Sequence, residues 1–172
     1  MEVEVTGRVG VPRDRVAAEL DPEAIIEYAD NYAVVDTETD GESELLSLRS
    51  YTRTGDMLEA TYEFTERGDG YVYSQRDDEG PFDEMRTWIE LEELNGETEI
   101  TVRSEFTFGG VIWFVIDRLA VKYRRQELEN LVSNLITELD PDAETDAEAE
   151  AEADTELESD TDTDANTESV TD

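Results

Sequence analysis

Residues 32–108 contain five turn signals at regular spacing, and this spacing constrains the fold more than any other feature of the chain. The signals are Asp40-Gly41, Gly55-Asp56, Asp69-Gly70, Gly80-Pro81 and Asn95-Gly96. They are about 11 to 15 residues apart, a spacing typical of strands of moderate length joined by tight turns. Five turns therefore predict six antiparallel strands in a meander.

Alternation of apolar and polar residues predicts that one face of this sheet is buried. Three strands, near 57–66, 85–94 and 98–108, show it most clearly. Their apolar positions are Leu58, Ala60, Tyr62, Phe64, Met85, Ile89, Leu91, Ile100, Val102, Phe106 and Phe108. The opposite positions carry Glu, Arg and Thr, so one face is wet and another element must cover the apolar face.

The first 31 residues predict a strand followed by two short helices. Residues 2–11 alternate Val with Glu and Arg, which indicates a half-buried strand, and Pro12 begins a short helix. Asp21 precedes Pro22 and Glu23, and this order provides an N-cap, a proline at the first helical position and an acid in the first turn. The second helix should end near residue 30 or 31.

Residues 111–139 contain neither Gly nor Pro and are followed by Asp140-Pro141, which predicts one helix about 43 Å long. Its second half places six apolar residues at helical spacing: Leu128, Leu131, Val132, Leu135, Ile136 and Leu139. Glu127, Glu129 and Asn134 are predicted to face outward. The start of the helix, 111–116, is apolar on nearly every side, which indicates burial on more than one side or contact with a cavity or a partner.

The charge of the chain is strongly negative along its whole length. The sequence has 48 acids and 13 bases, for a formal net charge of −35. Residues 140–172 hold 15 acids and no base, which leaves 33 acids against 13 bases in residues 1–139. Twelve of the bases are Arg. This composition is typical of a halophilic protein and predicts stability that rises with salt.

The same composition divides the chain into a folded domain, 1–139, and an acidic tail, 140–172, which we expect to be disordered because it has almost no large apolar residue. The negative charge disfavours nucleic acid as a partner. The longest apolar run, 111–116, is too short to span a bilayer, and no signal segment opens the chain. We therefore expect a cytoplasmic protein without an integral membrane segment.

Several kinds of active site are excluded by residue content. The chain has no Cys and no His, which removes thiolate zinc sites, cysteine nucleophiles and Ser-His-Asp catalysis. The segment 36–41 has a passing likeness to a calcium loop, but it lacks the downstream Glu at the EF-hand spacing and the flanking helices, so we interpret it as a hairpin turn. No phosphate-binding glycine loop is present. We expect neither a cofactor nor a bound metal.

The order of elements and three junctions resemble the START/SRPBCC superfamily, which includes polyketide cyclase/dehydrase-like proteins. The junctions are Val11-Pro12-Arg13-Asp14-Arg15-Val16, Asp21-Pro22-Glu23 and Phe106-Thr107-Phe108-Gly109-Gly110. The resemblance covers residues 1–139 and implies an α+β helix-grip fold. Its seven-stranded curved antiparallel sheet, in the order β-α-α-β6-α, would surround the long C-terminal helix. Cystatin-like and NTF2-like folds are the alternatives, but they place the long helix near the N-terminus.

The resemblance also implies an elongated apolar cavity between the sheet and the long helix. The candidate lining residues are Tyr62, Phe64, Tyr71, Tyr73, Ile89, Phe106, Phe108 and Trp113, although each could equally be an ordinary core residue. Trp113 is the strongest candidate because it lies in the first turn of the helix. The charged residues Arg49, Arg53, Arg86 and Arg103 should pair with nearby acids. Lys122, Arg124 and Arg125 should form part of a solvated stripe.

The favoured function is binding of a hydrophobic small molecule, such as a lipid, an isoprenoid or a polyketide-like compound, in a carrier or sensor role without catalysis. A cyclase or dehydratase on the same scaffold would need buried Tyr, Glu or Arg side chains in the cavity. A third possibility is an interaction module with a filled cavity, which uses the apolar segment 111–116 to bind a protein or membrane partner that the sequence does not identify.

Overall fold

The computed structural model describes residues 1–51, 55, 57–76, 80–107 and 113–141. Within them, strands and helices follow one another in the predicted order. The elements are β1 Glu2–Val9, α1 Arg13–Ala18, α2 Pro22–Ala29, β2 Ala33–Asp40, β3 Ser43–Tyr51, β4 Met57–Arg67, β5 Gly70–Arg76, β6 Glu84–Leu94, β7 Glu97–Thr107 and α3 Trp113–Leu139. Gly109 and Gly110 of the third predicted junction, with Val111 and Ile112, lie outside the described residues.

The seven strands form one antiparallel sheet in the order β1-β7-β6-β5-β4-β3-β2. Six strands form the predicted meander, and β1 pairs with β7, so the first strand lies beside the last. The helices cover one face, which we call the inner face. The predicted α+β architecture, with its curved seven-stranded sheet and long C-terminal helix, is confirmed.

Local sequence accounts for the main chain reversals. Leu94 pairs with Glu97 across a two-residue turn in which Asn95 and Gly96 both have positive φ, 58° and 89°, as a type I′ turn requires. The 36–41 segment forms the β2–β3 hairpin, as predicted. Among the described residues, no cluster of three or more Asp and Glu side chains could hold a metal ion.

Helix α2 begins and ends as its sequence predicts. The backbone N–H of Ala24 donates a hydrogen bond of 2.8 Å to Oδ1 of Asp21, and Pro22 occupies the first turn. The helix ends at Asp30, which adopts a left-handed φ of 56°. Its apolar residues Ile25 and Ile26 are buried against the core.

Helix α3 packs its second half against β1 and α2. All six apolar residues predicted for this face, between 128 and 139, are buried. Close approach to β1 depends on Gly7, because a Cβ there would lie 2.4 Å from Cγ1 of Val132 and 2.8 Å from Cδ1 of Ile136. This contact fixes the helix against one side of the sheet.

Four sequence-based placements are wrong. Leu58 was expected to be buried, yet it is 37% exposed, because it is the second residue of β4, near the end of the sheet, and pairs with Ser50. The first strand ends at Val9 rather than at residue 11, before the turn that leads to Pro12.

The other two errors concern α3. Arg124 was assigned to a solvated stripe and Glu127 to the outer face, but both are buried. Arg124 precedes Leu128 by four residues and Leu131 by seven, so it lies on the same face as the apolar residues. Lys122 and Arg125 are exposed, as predicted.

Candidate functional site

A row of stacked aromatic side chains lies on the inner face of β4 and β5. Phe64 is paired with Tyr73 in the strand register, and their ring centroids are 4.7 Å apart with an interplanar angle of 21°. Tyr62 stacks on the other side of this pair, 5.7 Å from Tyr73, and Tyr32 meets its edge at 5.9 Å. Tyr62, Phe64 and Tyr73 are fully buried, so the sheet presents a continuous aromatic wall to its interior.

Beside this wall, a buried arginine joins helix α3 to three strands. Arg124 is only 1% exposed. Its Nε donates a hydrogen bond of 3.0 Å to Oγ of Ser104, and its Nη2 donates to Oγ1 of Thr87 at 2.5 Å and to the hydroxyl of Tyr73 at 3.2 Å. Sδ of Met85 lies 3.4 Å from the same Nη2. The guanidinium is therefore held in place by β5, β6 and β7.

Glu127 balances the charge of this arginine. Its Oε1 lies 2.6 Å from Nη1 of Arg124, one helical turn away, and the Glu127 side chain is 7% exposed. Burial alone would lower the pKa of Arg124, but the carboxylate of Glu127 and the nearby Tyr73 hydroxyl more than offset this and raise it. Arg124 therefore keeps its proton although it is buried.

The other polar atoms of the cluster also have polar neighbours. Nη1 of Arg124 lies 2.6 Å from Oε1 of Glu127, which is an ion pair within hydrogen-bonding distance. Burial raises the pKa of Tyr32, and its interaction with the hydroxyl of Tyr62 opposes that rise. Buried polar groups are costly unless they are paired, so these contacts are needed to keep the cluster inside the protein.

The tyrosines of the cluster hold their protons tightly. Burial raises the pKa of Tyr62 well above its usual value, and the negative charge of Glu127 raises it further. Burial also raises the pKa of Tyr73, although Arg124 opposes that rise. Both hydroxyls therefore stay neutral at physiological pH and can donate hydrogen bonds.

No protein-family model matches this sequence, and no curated protein matches it. Solved structures do resemble it. A protein of Thermus thermophilus superposes with a TM-score of 0.65 at 17% identity, over 81% of this chain and 97% of that one. A START superfamily protein from Mycobacterium smegmatis gives 0.60 at 13% identity, over 81% and 97% of the two chains. The chain has a START-like helix-grip fold.

A third structural neighbour is the Zhui aromatase/cyclase from a Streptomyces species, with a TM-score of 0.61 at 13% identity over 80% of this chain and 94% of that chain. At these identities the likeness establishes the START-like fold alone. None of the helices in the described part of the chain is long and apolar enough to cross a membrane.

Most of the predicted lining residues lie on the inner face of this START-like sheet. Tyr62, Phe64 and Tyr73 form the aromatic wall. Ile89 is buried on β6, and Phe106 is buried on β7 against the ring of Phe82, 5.4 Å away. Tyr71 is only partly buried, near the start of β5. Phe108 and the side chain of Trp113 lie outside the described residues, so the placement of Trp113 at a cavity remains a prediction.

Sequence reasoning missed the polar members of the site, namely Tyr32, Thr87, Ser104, Arg124 and Glu127. A signal for two of them was present: Thr87 and Ser104 interrupt the inward alternation of β6 and β7 with small hydroxyl residues. Arg124 could have been found from its helical spacing to Leu128. Glu127 has a similar signal, since it precedes Leu131 by four residues.

The outer face of the sheet also carries a concavity, an open cleft of about 1110 Å³ lined partly by Glu63, Arg67, Arg86 and Glu105. Its wall is mostly polar and it opens widely to solvent. On the same face Arg86 and Arg103 stack on Trp88, at 5.3 and 4.4 Å from the ring centroid. Apolar ligands prefer enclosed sites with few polar groups, so the inner face is the stronger candidate.

Two of the four strand arginines form the predicted surface ion pairs, whereas Arg86 stacks on Trp88 and forms no ion pair with an acid of the described residues. Arg49 pairs with Glu59 at 2.9 Å, and Arg103 pairs with Glu105 at 2.9 Å. Arg53 lies outside the described residues. These contacts are solvent-exposed and contribute little to stability, which separates them from the buried Arg124 cluster.

Proposed function

We propose that this protein binds a hydrophobic small molecule on the inner face of its START-like sheet, in a carrier or sensor role. The observation that carries the proposal is the aromatic wall of Tyr62, Phe64 and Tyr73 beside the buried polar cluster of Arg124 and Glu127. An apolar wall with a few fixed polar groups is the usual composition of a small-molecule site. The START-superfamily and aromatase/cyclase proteins that resemble this chain share its fold, and this likeness supports the proposal.

Binding is favoured over catalysis by the protonation behaviour of the cluster. A general acid or base works best when its pKa is near the working pH. The pKa values of Tyr62, Tyr73 and Arg124 are all raised from values that are already high, and Glu127 is engaged with Arg124. The chain has no His to take this role. The cluster is suited to holding a ligand rather than to transferring protons.

The test is to identify what the protein binds. Full-length protein is purified in molar KCl, exchanged into concentrated ammonium acetate for native mass spectrometry, and extracted with organic solvent in parallel. We expect one apolar molecule per chain, or saturable one-to-one binding of the neutral dye Nile red by emptied protein.

A substitution on the wall provides the control for site. Phe64→Leu removes the ring that stacks on Tyr73 while keeping an apolar side chain, and it should weaken dye binding several-fold. Met57→Leu changes an exposed apolar residue of the same strand and should leave binding unchanged. No bound molecule together with no saturable dye binding would overturn the proposal.

A further inference from the structure

The two-residue turn of the β6–β7 hairpin contains a chemically labile pair of residues. Asn95 and Gly96 are both exposed, and they form the type I′ turn between Leu94 and Glu97. Asn95 is the one asparagine of the chain that precedes a glycine. Asparagine is a thermolabile residue, because the backbone nitrogen of the next residue can attack Cγ of its side chain. Glycine leaves this attack unhindered because it has no Cβ.

We propose that Asn95 is a deamidation site that the folded turn protects and that unfolding exposes. In the first step the backbone nitrogen of Gly96 bonds to Cγ of Asn95. The bond from Cγ to the side-chain nitrogen breaks, and ammonia leaves with the proton that the Gly96 nitrogen has lost. The product is a five-membered succinimide ring. Water then opens the ring at one of its two carbonyl groups, which leaves aspartate or isoaspartate at this position.

The geometry of the folded turn prevents the first step. The φ angles of 58° at Asn95 and 89° at Gly96 fit a type I′ turn, in which ψ of the first residue is about +30°. This ψ directs the Gly96 nitrogen away from Cβ of Asn95, whereas ring closure needs both on the same side of the Cα–C bond. The pairing of Leu94 with Glu97 holds this rotation in place. Asn95 is therefore exposed to water but unreactive while the hairpin is formed.

Isoaspartate at this position would prevent the hairpin from forming again. Its main chain runs through the former side chain and is longer by one carbon, and a two-residue turn has no spare length to absorb the addition. Strand β7 pairs with both β6 and β1, and it carries Ser104 to Arg124. Modification of Asn95 would therefore make unfolding irreversible. Because the excess of acids should favour unfolding in dilute buffer, we expect molar salt to protect Asn95 as well as the fold.

Peptide mass spectrometry on full-length protein tests the site and its protection. The protein is incubated at pH 8 in molar KCl, with or without enough urea to unfold it, and is then digested with trypsin, which releases residues 87–103 as one peptide. We expect this peptide to gain the mass of deamidation in urea. Without urea the gain should be at least about tenfold slower, because only the locally opened fraction reacts. Asn130 and Asn134, which precede leucines, are internal controls and should change far more slowly in urea than Asn95.

Asn95→Gly separates the modification from unfolding itself. A Gly-Gly pair also favours a type I′ turn and has no carboxamide to react. After long incubation in urea and return to molar KCl, this variant should recover its native circular dichroism. The wild type should lose refolding yield in proportion to the isoaspartate found in the 87–103 peptide.

Each part of the proposal has an outcome that would overturn it. Absence of the mass gain in unfolded protein would overturn the site. Equal rates with and without urea would overturn the protection by the turn. An equal loss of refolding yield in Asn95→Gly and the wild type would show that modification of Asn95 is not what makes unfolding irreversible. None of these measurements involves a ligand, so their results are independent of the proposed function.

Discussion

The Arg124 guanidinium donates hydrogen bonds to side chains of β5, β6 and β7 from a fully buried position on α3, with its charge offset by Glu127. Removing only the cation would leave the Glu127 carboxylate buried without a counter-charge. We therefore expect Arg124→Met to lower the free energy of unfolding by about 3–5 kcal/mol, the range for breaking a buried ion pair. Urea unfolding at fixed molar KCl measures this change.

Two comparisons show whether the loss comes from the buried charge. In the double variant Arg124→Met, Glu127→Leu, both charges are gone, so the protein should be more stable than the single variant. Arg49→Met removes an exposed partner of Glu59 and should cost less than about 1 kcal/mol. Similar losses for Arg124→Met and Arg49→Met would contradict the buried pair.

Tyr62 gives the protein a sensitivity to alkaline pH. Its pKa is raised in the folded state, while in the unfolded chain it ionises near the ordinary value of about 10. Above that pH the unfolded state loses the proton first, so stability falls as pH rises, by up to about 1.4 kcal/mol per pH unit for this group. Between pH 9 and 11.5, unfolding free energies of Tyr62→Phe should therefore fall less steeply than those of the wild type. Parallel slopes would contradict the prediction.

At the residue scale, the sequence predicted the aromatic residues of the inner face but not the buried polar cluster around Arg124. Alternation identifies Tyr62, Phe64 and Phe106 as inward, because period-two patterning depends only on strand geometry. Residue type and spacing do not predict the burial of Arg124, because a charged residue on a helix normally lies at the surface. Its burial depends on hydrogen-bond partners from three strands that are distant in sequence, such as Thr87 and Ser104. Residue spacing along the sequence does not predict such long-range contacts.

The contact between β1 and α3 leaves no room for a side chain at Gly7. A methyl group there would lie 2.4 Å from Cγ1 of Val132, a β-branched residue with little freedom to move. Gly7→Ala should therefore lower the free energy of unfolding by about 1–3 kcal/mol, as overpacking does. Thermal and urea unfolding measure the effect.

Gly10, the glycine that directly follows the same strand, provides the control. At Gly10 the nearest atom to a new Cβ is Oδ2 of Asp140, at 3.7 Å, which is an ordinary contact. Gly10→Ala should therefore be close to neutral. Adding Val132→Ala to Gly7→Ala should recover part of the loss by making room. A Gly7→Ala variant as stable as Gly10→Ala would show that α3 does not press on β1.

At the element scale, most of the fold was readable because its signals are local. The Asn95-Gly96 turn and the Asp21 cap each act within a few residues, and the structure places both as predicted. The errors lie where local signals end. Leu58 alternates correctly but lies near the end of the sheet, and no local pattern predicts the pairing of β1 with β7.

For the whole molecule, the large excess of acids should destabilise the folded state through electrostatic self-repulsion. Residues 1–139 carry 33 acids against 13 bases, and some of the acids face one another directly. Glu92 of β6 lies opposite Glu99 of β7, and Glu2 of β1 lies opposite Glu105 of β7. Like charges in cross-strand pairs are destabilising, and Arg8 on Glu99 and Arg103 on Glu105 offset part of this repulsion.

Salt should relieve this field over the whole surface. At about 1 M the Debye length falls to roughly 3 Å, shorter than most distances between surface charges. The melting temperature should therefore rise steadily from low to molar KCl, with each kcal/mol of stability corresponding to roughly 2–8 °C. Sucrose at matched osmolality should give a smaller rise, since it does not screen charge. Calorimetry across both series provides the measurement.

Glu92→Gln tests whether the salt effect comes from repulsion between these carboxylates. It removes one charge of an unfavourable pair without changing shape, so it should raise the melting temperature in dilute buffer. In molar KCl the repulsion is already screened, and the variant should melt with the wild type. The difference between the two proteins should therefore shrink as salt increases. A melting temperature that does not change with KCl would contradict the halophilic interpretation. If Glu92→Gln raised the melting temperature equally at all salt concentrations, its effect would not come from charge repulsion.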